Sequence, residues 1–176
     1  MEVVGKFSID DKSKWFDLSL VIWVLVIMGS FIALEWILGL PPDGVGLGLS
    51  SLIVLICIIG VVVIHEGLHA IGFLASGGRV KFGHRMTRIG PSAYTTSPSS
   101  YPKRKFIAIL LTPQILTIVL AALIPNIPPM FKYAFIIAIA GNFGRGFSDF
   151  YMLVWLRKFP SEYMVQDTIG GIEVSK

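Results

Sequence analysis

The chain has 176 residues, of which 54% are hydrophobic and only 15% charged, with a formal net charge of +4. An ordinary soluble domain is about one-quarter charged, so this balance argues against one and for an integral membrane protein of one domain spanning residues 1–176. The small positive charge is spread over separate loops, which makes it a signal of topology rather than of nucleic acid, and a single cysteine excludes a disulfide framework.

Residues 1–16 are polar, with Trp15 and Phe16 placed as interfacial anchors. The apolar run over 18–40 predicts a first span, too long for a cleaved signal peptide and closed by the Pro41–Gly44 turn. Glu35, near its far end, reads as a water-facing or snorkelling carboxylate. A second span is predicted over 47–75, ended by Ser76-Gly77-Gly78; Cys57 within it reads as an inert buried thiol. Residues 79–104 form a long polar connection, in which Arg79–Phe82 and Tyr94–Thr96 have the look of short strands. A third span covers 106–124 with a kink at Pro113. After Pro125–Pro129 a fourth covers 131–156, and the tail 157–176 is polar, with a turn at Gly170-Gly171. The expectation is therefore an all-α membrane protein of about four transmembrane helices, with a short β-like polar connection between the second and third.

Lys and Arg placement sets the orientation. Lys6, Lys12 and Lys14 precede the first span, Arg79, Lys81, Arg85, Arg88, Lys103, Arg104 and Lys105 crowd the second connection, and Arg157, Lys158 and Lys176 lie in the tail. This distribution predicts a multi-pass protein with both termini in the cytoplasm, Lys132 being the one mild exception.

The second span carries His65-Glu66-Gly67-Leu68-His69. Residues four apart share one helix face, so His65 and His69 point the same way and can grip one Zn²⁺, with Glu66 beside them as a general base. Two satisfied core histidines beside a stray glutamate are the plainer reading; three ionisable groups in five membrane-buried residues are costly to keep without a function.

A site with two histidines needs a third protein ligand and an open position for water. His65 and Asp149 both lie about 16 to 18 residues into spans running the same way, so both sit roughly 25 Å deep at 1.5 Å per residue. Asp149 is thus the candidate third ligand. Asn142, Arg145 and Asp149 recur at spacings of three and four, which also allows Arg145 to pair with Asp149 to neutralise buried charge or to support a ligating carboxylate. Gly141, Gly144 and Gly146 permit close helix approach here. His84, in the basic connection, is the rival ligand, its plainer reading being an exposed loop histidine.

These residues resemble the site-2 protease type of intramembrane zinc metalloprotease, and more closely the small membrane zincin peptidases related to it. The resemblance covers about residues 50–172: the His65–His69 motif, a polar connection, a Pro-containing span, Gly141-Asn142 and Asp149, and the tail stretch Tyr163-Met164-Val165-Gln166-Asp167-Thr168. It implies His65, His69 and Asp149 as zinc ligands, Glu66 as general base, and Asn142 as a holder of substrate backbone. The chain departs where site-2 proteases have proline, here Arg145, and where they have glycine after the ligating aspartate, here Phe150.

The expected function is hydrolysis of peptide bonds in or near transmembrane segments of other proteins, with Asn142 or Arg145 contacting substrate or supporting the ligands. A helix hides its carbonyls, so the substrate would unwind and lie along Val80–Phe82 or Tyr94–Thr96 as an added strand. The rivals are a non-catalytic zinc-binding scaffold derived from a protease, and a small transporter using Glu35, Arg145 and Asp149 as a charge relay.

Overall fold

The computed structural model describes residues 2–8, 47–87, 90–127 and 129–176, with scattered positions between 18 and 33. In chain order these form β1 (Val3–Ser8), α1 (Leu47–Ala75), β2 (Lys81–Thr87), β3 (Gly90–Thr96), β4 (Ser100–Pro102), α2 (Lys103–Leu111), α3 (Gln114–Leu123), a 3-10 turn (Ile124–Asn126), α4 (Pro129–Arg145), α5 (Phe147–Leu156), β5 (Met164–Thr168) and β6 (Gly171–Ser175).

This is a mixed α/β fold, not the all-α bundle of four spans that the apolar runs suggested. Among the described residues six strands make two sheets, one of order β1-β6-β5-β4 and one pairing β2 with β3, and all these pairings are antiparallel. Among the described residues two helical stretches, Leu55–Ala75 and Lys103–Asn126, are long and apolar enough to cross a membrane. The stretch expected as a fourth span is instead two shorter helices, α4 and α5, divided at Gly146. Gly146 packs where any side chain would overlap the Gln114 amide, so the break is tied to close approach of α3. The first expected span, Glu35 included, lies outside the continuously described residues.

The tail expected to be simply polar supplies β5 and β6. Val165, Ile172 and Val174 are fully buried, while Glu173, between the last two, turns outward to pair with Lys6 of β1 at 2.7 Å. That period-two pattern presents one face of the sheet to the ends of three helices. Phe7 of β1 and the three tail residues pack with Phe73 of α1, Phe106, Ile109 and Leu110 of α2, and Met152 and Leu156 of α5. Each fully buried large apolar side chain is worth roughly 1.5–3 kcal/mol. This core fixes the C-terminal end of α1, the middle and end of α2 and the second half of α5 against one another, and so positions the site just above it.

The β2–β3 hairpin runs in register from Lys81↔Thr96 to Thr87↔Gly90, longer than the two short strands expected. It lies along α1, where the Thr95 hydroxyl donates to the Glu66 carbonyl at 3.0 Å. The two candidate spans leave most of their surface uncovered by protein: only 22% of the α1 window and 17% of the Lys103–Asn126 window is buried. Ile59, Val63, Ile71 and Leu74 on α1 and Ile115, Ile118 and Val119 on α3 are all exposed. A core helix of a water-soluble domain would bury such a stripe.

Candidate metal centre

The helical spacing of the motif holds: His65 and His69 stand on one face of α1, ring centroids 5.0 Å apart and edge to face, both buried. Asp149, in the first turn of α5, is buried opposite them. Its Oδ2 lies 3.3 Å from Nε2 of His65 and 3.3 Å from Nε2 of His69.

Proton placement on the two rings follows from their other nitrogens. His69 Nδ1 is 3.2 Å from the Ile109 carbonyl, which can only accept, so Nδ1 carries a proton, and in the neutral ring Nε2 is left with a lone pair. The proline at 113 makes that carbonyl available. Pro113 has no N–H to give to Ile109, four residues back, and the freed acceptor lies on the side of α2 facing α1. His65 Nδ1 is 3.0 Å from Asn142 Oδ1. The Asn142 amide nitrogen donates to the Pro113 carbonyl at 2.9 Å and to the Thr117 hydroxyl at 2.8 Å, which fixes which amide atom faces His65. His65 therefore also turns a bare Nε2 inward.

With both rings neutral, two nitrogen lone pairs and one carboxylate oxygen converge, and Asp149 Oδ2, although buried, has no hydrogen-bond partner among the described residues. Such an arrangement is repulsive unless a cation sits at its centre. The three ligand atoms all lie within 4.8 Å of one another. Ligand atoms about 2.1 Å from a tetrahedral zinc stand roughly 3.4 Å apart, close to the two separations observed. Two imidazoles and a carboxylate are also a donor set suited to zinc, and three ligands leave a fourth position for water.

The family model described as "Putative zincin peptidase" matches residues 58–164, well over half of the chain. The chain belongs to this zincin peptidase family. Membership carries zinc with it, as does the buried His65, His69 and Asp149 group. No curated protein and no solved structure matches the chain significantly.

The remaining polar residues of this zincin divide into those that hold the ligands and those that line the cleft. Asn142 is wholly buried, and its amide is spent on His65, Pro113 and Thr117. Arg145 does not pair with Asp149. Its guanidinium donates to Glu66 Oε1 at 2.6 Å, to the Ser92 hydroxyl at 3.1 Å, and to the Ala93 carbonyl. The break at Gly146 places Arg145 and Asp149 on different helices, so the i,i+4 relation read from the sequence does not bring them together. Glu66 lies on α1 beside the ligands, in a cavity of about 100 Å³ that His65, His69, Arg145 and Asp149 also line. His84 faces Ala93 across the hairpin, exposed and apart from the ligand group. Cys57 is half-buried, two helical turns before His65.

One cleft residue was not singled out from the sequence as part of the site. Asp167 of β5 lines the same cavity, together with Thr168 and Gly170. Burial pushes its carboxyl up to about 7, with Asp149 and Glu66 adding to the shift against the Thr96 hydroxyl and His69. The signal was its place in the Tyr163–Thr168 stretch of the resemblance; the strand that carries it into the cleft was not foreseen.

Proposed function

We propose that this chain is an intramembrane zinc metallopeptidase of the site-2 type, cutting peptide bonds in or near membrane-embedded segments of other proteins. The observation that carries the reading is the convergence of three unshared lone pairs, from His65, His69 and Asp149, with Glu66 in the same cleft on a helix most of whose apolar window is uncovered. In this reading the Leu55–Ala75 and Lys103–Asn126 stretches cross a bilayer. The four-stranded sheet and the segments that enter and leave it, which carry Arg79, Arg104, Lys105, Arg157 and Lys158, lie on the cytoplasmic side. β1 pairs with β6, which supports both chain ends lying on that side.

Zinc, when bound, supplies Lewis acidity toward a water and a peptide carbonyl. Asp149 and the two imidazoles hold it, and Asn142 and the Ile109 carbonyl keep those imidazoles oriented. Glu66 takes the proton from the attacking water as its oxygen bonds the carbonyl carbon, and returns it to the amide nitrogen as the carbon–nitrogen bond breaks. Ser92–Thr95 of β3 line the cleft, so an unwound substrate segment lies along that strand.

The test is Glu66→Gln, in protein reconstituted with a reporter carrying one membrane-embedded segment. The variant should retain zinc at one per chain and lose cleavage; cleavage at the wild-type rate would remove Glu66 from the chemistry. A second reading, a zinc-binding scaffold without catalysis, draws support from the ion pair that occupies Glu66. Wild-type protein with one zinc per chain and no cleavage of any reporter would favour it.

A further inference from the structure

We propose that Arg145 is a clamp on Glu66 that an extended peptide releases by pairing with β3. This rests on the peptidase reading, and deepens it by naming how substrate binding along β3 would control Glu66.

The clamp is three contacts made by one guanidinium. It donates to Glu66 Oε1 at 2.6 Å, to Ser92 Oγ at 3.1 Å and to the carbonyl of Ala93. Planar and charged, it spans from the catalytic helix α1 to the hairpin strand β3 in one rigid fork. A carboxylate so engaged is held in place with that oxygen occupied by a donor, so it is not open to an attacking water. The geometry that keeps Glu66 ordered in the free protein is therefore also one that keeps it quiet.

The hairpin end of the clamp sits where a substrate would. Each residue in an antiparallel pair turns its backbone groups toward its partner or away from it. Ala93 stands opposite His84, yet its carbonyl is reached by Arg145 from the cleft side. A peptide laid along β3 would bring a backbone N–H to that acceptor and displace the guanidinium from it. The Arg145 side chain is 28% exposed against 11% for Glu66, so an entering chain meets the clamp before the base. Breaking the Ala93 and Ser92 anchors leaves Arg145 held by Glu66 alone. With one contact left of three, the guanidinium is free to turn toward the developing oxyanion or solvent. A peptide too short to reach β3 occupies the metal side of the cleft without freeing Glu66.

The experiment uses the full zinc-loaded chain in detergent micelles, labelled with ¹⁵N-arginine, and follows the Arg145 guanidinium signal, assigned with Arg145→Lys. The probes are an octapeptide with its central amide reduced to an uncleavable methyleneamine, and a tripeptide bearing the same replacement. The octapeptide should move the signal from that of a carboxylate-bound guanidinium to that of a solvated one, and the tripeptide should leave it in place. With cleavable versions, wild-type kcat should favour the octapeptide by about tenfold or more, and Ser92→Ala should narrow that ratio. An Arg145 signal unmoved at saturating octapeptide overturns the clamp, and cleavage observed alongside it would leave the peptidase reading intact. A signal that moves while neither cleavable peptide is cut upholds the clamp and sinks the peptidase reading.

Discussion

Replacing Pro113 with alanine separates the orientation of the metal ligands from the stability of the helices. Pro113 has φ −63° and ψ −21°, already helical, so alanine fits the existing backbone. It also restores an N–H whose helical acceptor is the Ile109 carbonyl. That carbonyl now takes His69 Nδ1 at 3.2 Å and the Thr112 amide at 3.2 Å. A third donor competes with the histidine, and loss of such an outer partner lowers metal affinity roughly 10–100-fold. At 1.4 kcal/mol per decade this is about 1.4–2.7 kcal/mol. Pro113 is the N-cap of α3, between two helices, where proline carries little of its helix-interior penalty, so the metal-free protein should unfold at about the same temperature. Competition against a chromophoric chelator gives the zinc affinity, and thermal denaturation after chelation gives the other arm. The reasoning fails if zinc binds the variant as tightly as the wild type. It fails equally if affinity and metal-free stability drop together, since that would mean the helix pair had simply come apart.

Three further outcomes follow from the same contacts. Asn142→Leu removes the partner of His65 and the amide donor to the Pro113 carbonyl and Thr117 hydroxyl, which keep the Leu116 N–H and the Gln114 amide oxygen; each lost bond is worth about 1 kcal/mol, and zinc affinity by chelator competition and the melting temperature should both fall. Asp167 titrates in the folded metal-free protein at about 7, above the unfolded value of 3.8, so its burial costs nothing at low pH and destabilises increasingly as pH rises toward 7. Asp167→Asn should therefore flatten that decline in urea unfolding of the metal-free protein, and an unchanged pH profile would contradict the assignment. Gly171→Ala puts a methyl group into the Phe7 carbonyl of the adjoining strand and should cost about 1–3 kcal/mol, read as earlier loss of hydrogen-exchange protection in β1.

The metal group was legible because its rules are local. Helical spacing alone brings His65 and His69 together; Asp149 was nominated by equal depth along two spans, a count that assumed one continuous helix over 131–156 where the chain forms α4 and α5. The sheet was not legible because its information is not local. β1 and β6 pair across nearly the whole chain, and each strand is only five or six residues long. In so apolar a sequence, the alternation of Val165, Ile172 and Val174 is a faint signal beside the helical runs. Arg145 illustrates a third case, in which spacing misleads. Counting four residues to Asp149 assumes one continuous helix, and Gly146 ends it between them. The same break turns Arg145 back to Glu66, a partner 79 residues away in sequence.

The central claim is that His65, His69 and Asp149 jointly hold one zinc ion. It is tested most directly by the metal content of purified protein, wild type alongside Asp149→Ala and His84→Ala. The account predicts one zinc per chain in the wild type and in His84→Ala, and its loss in Asp149→Ala. Zinc held as firmly by Asp149→Ala as by the wild type, or lost from His84→Ala, would contradict it.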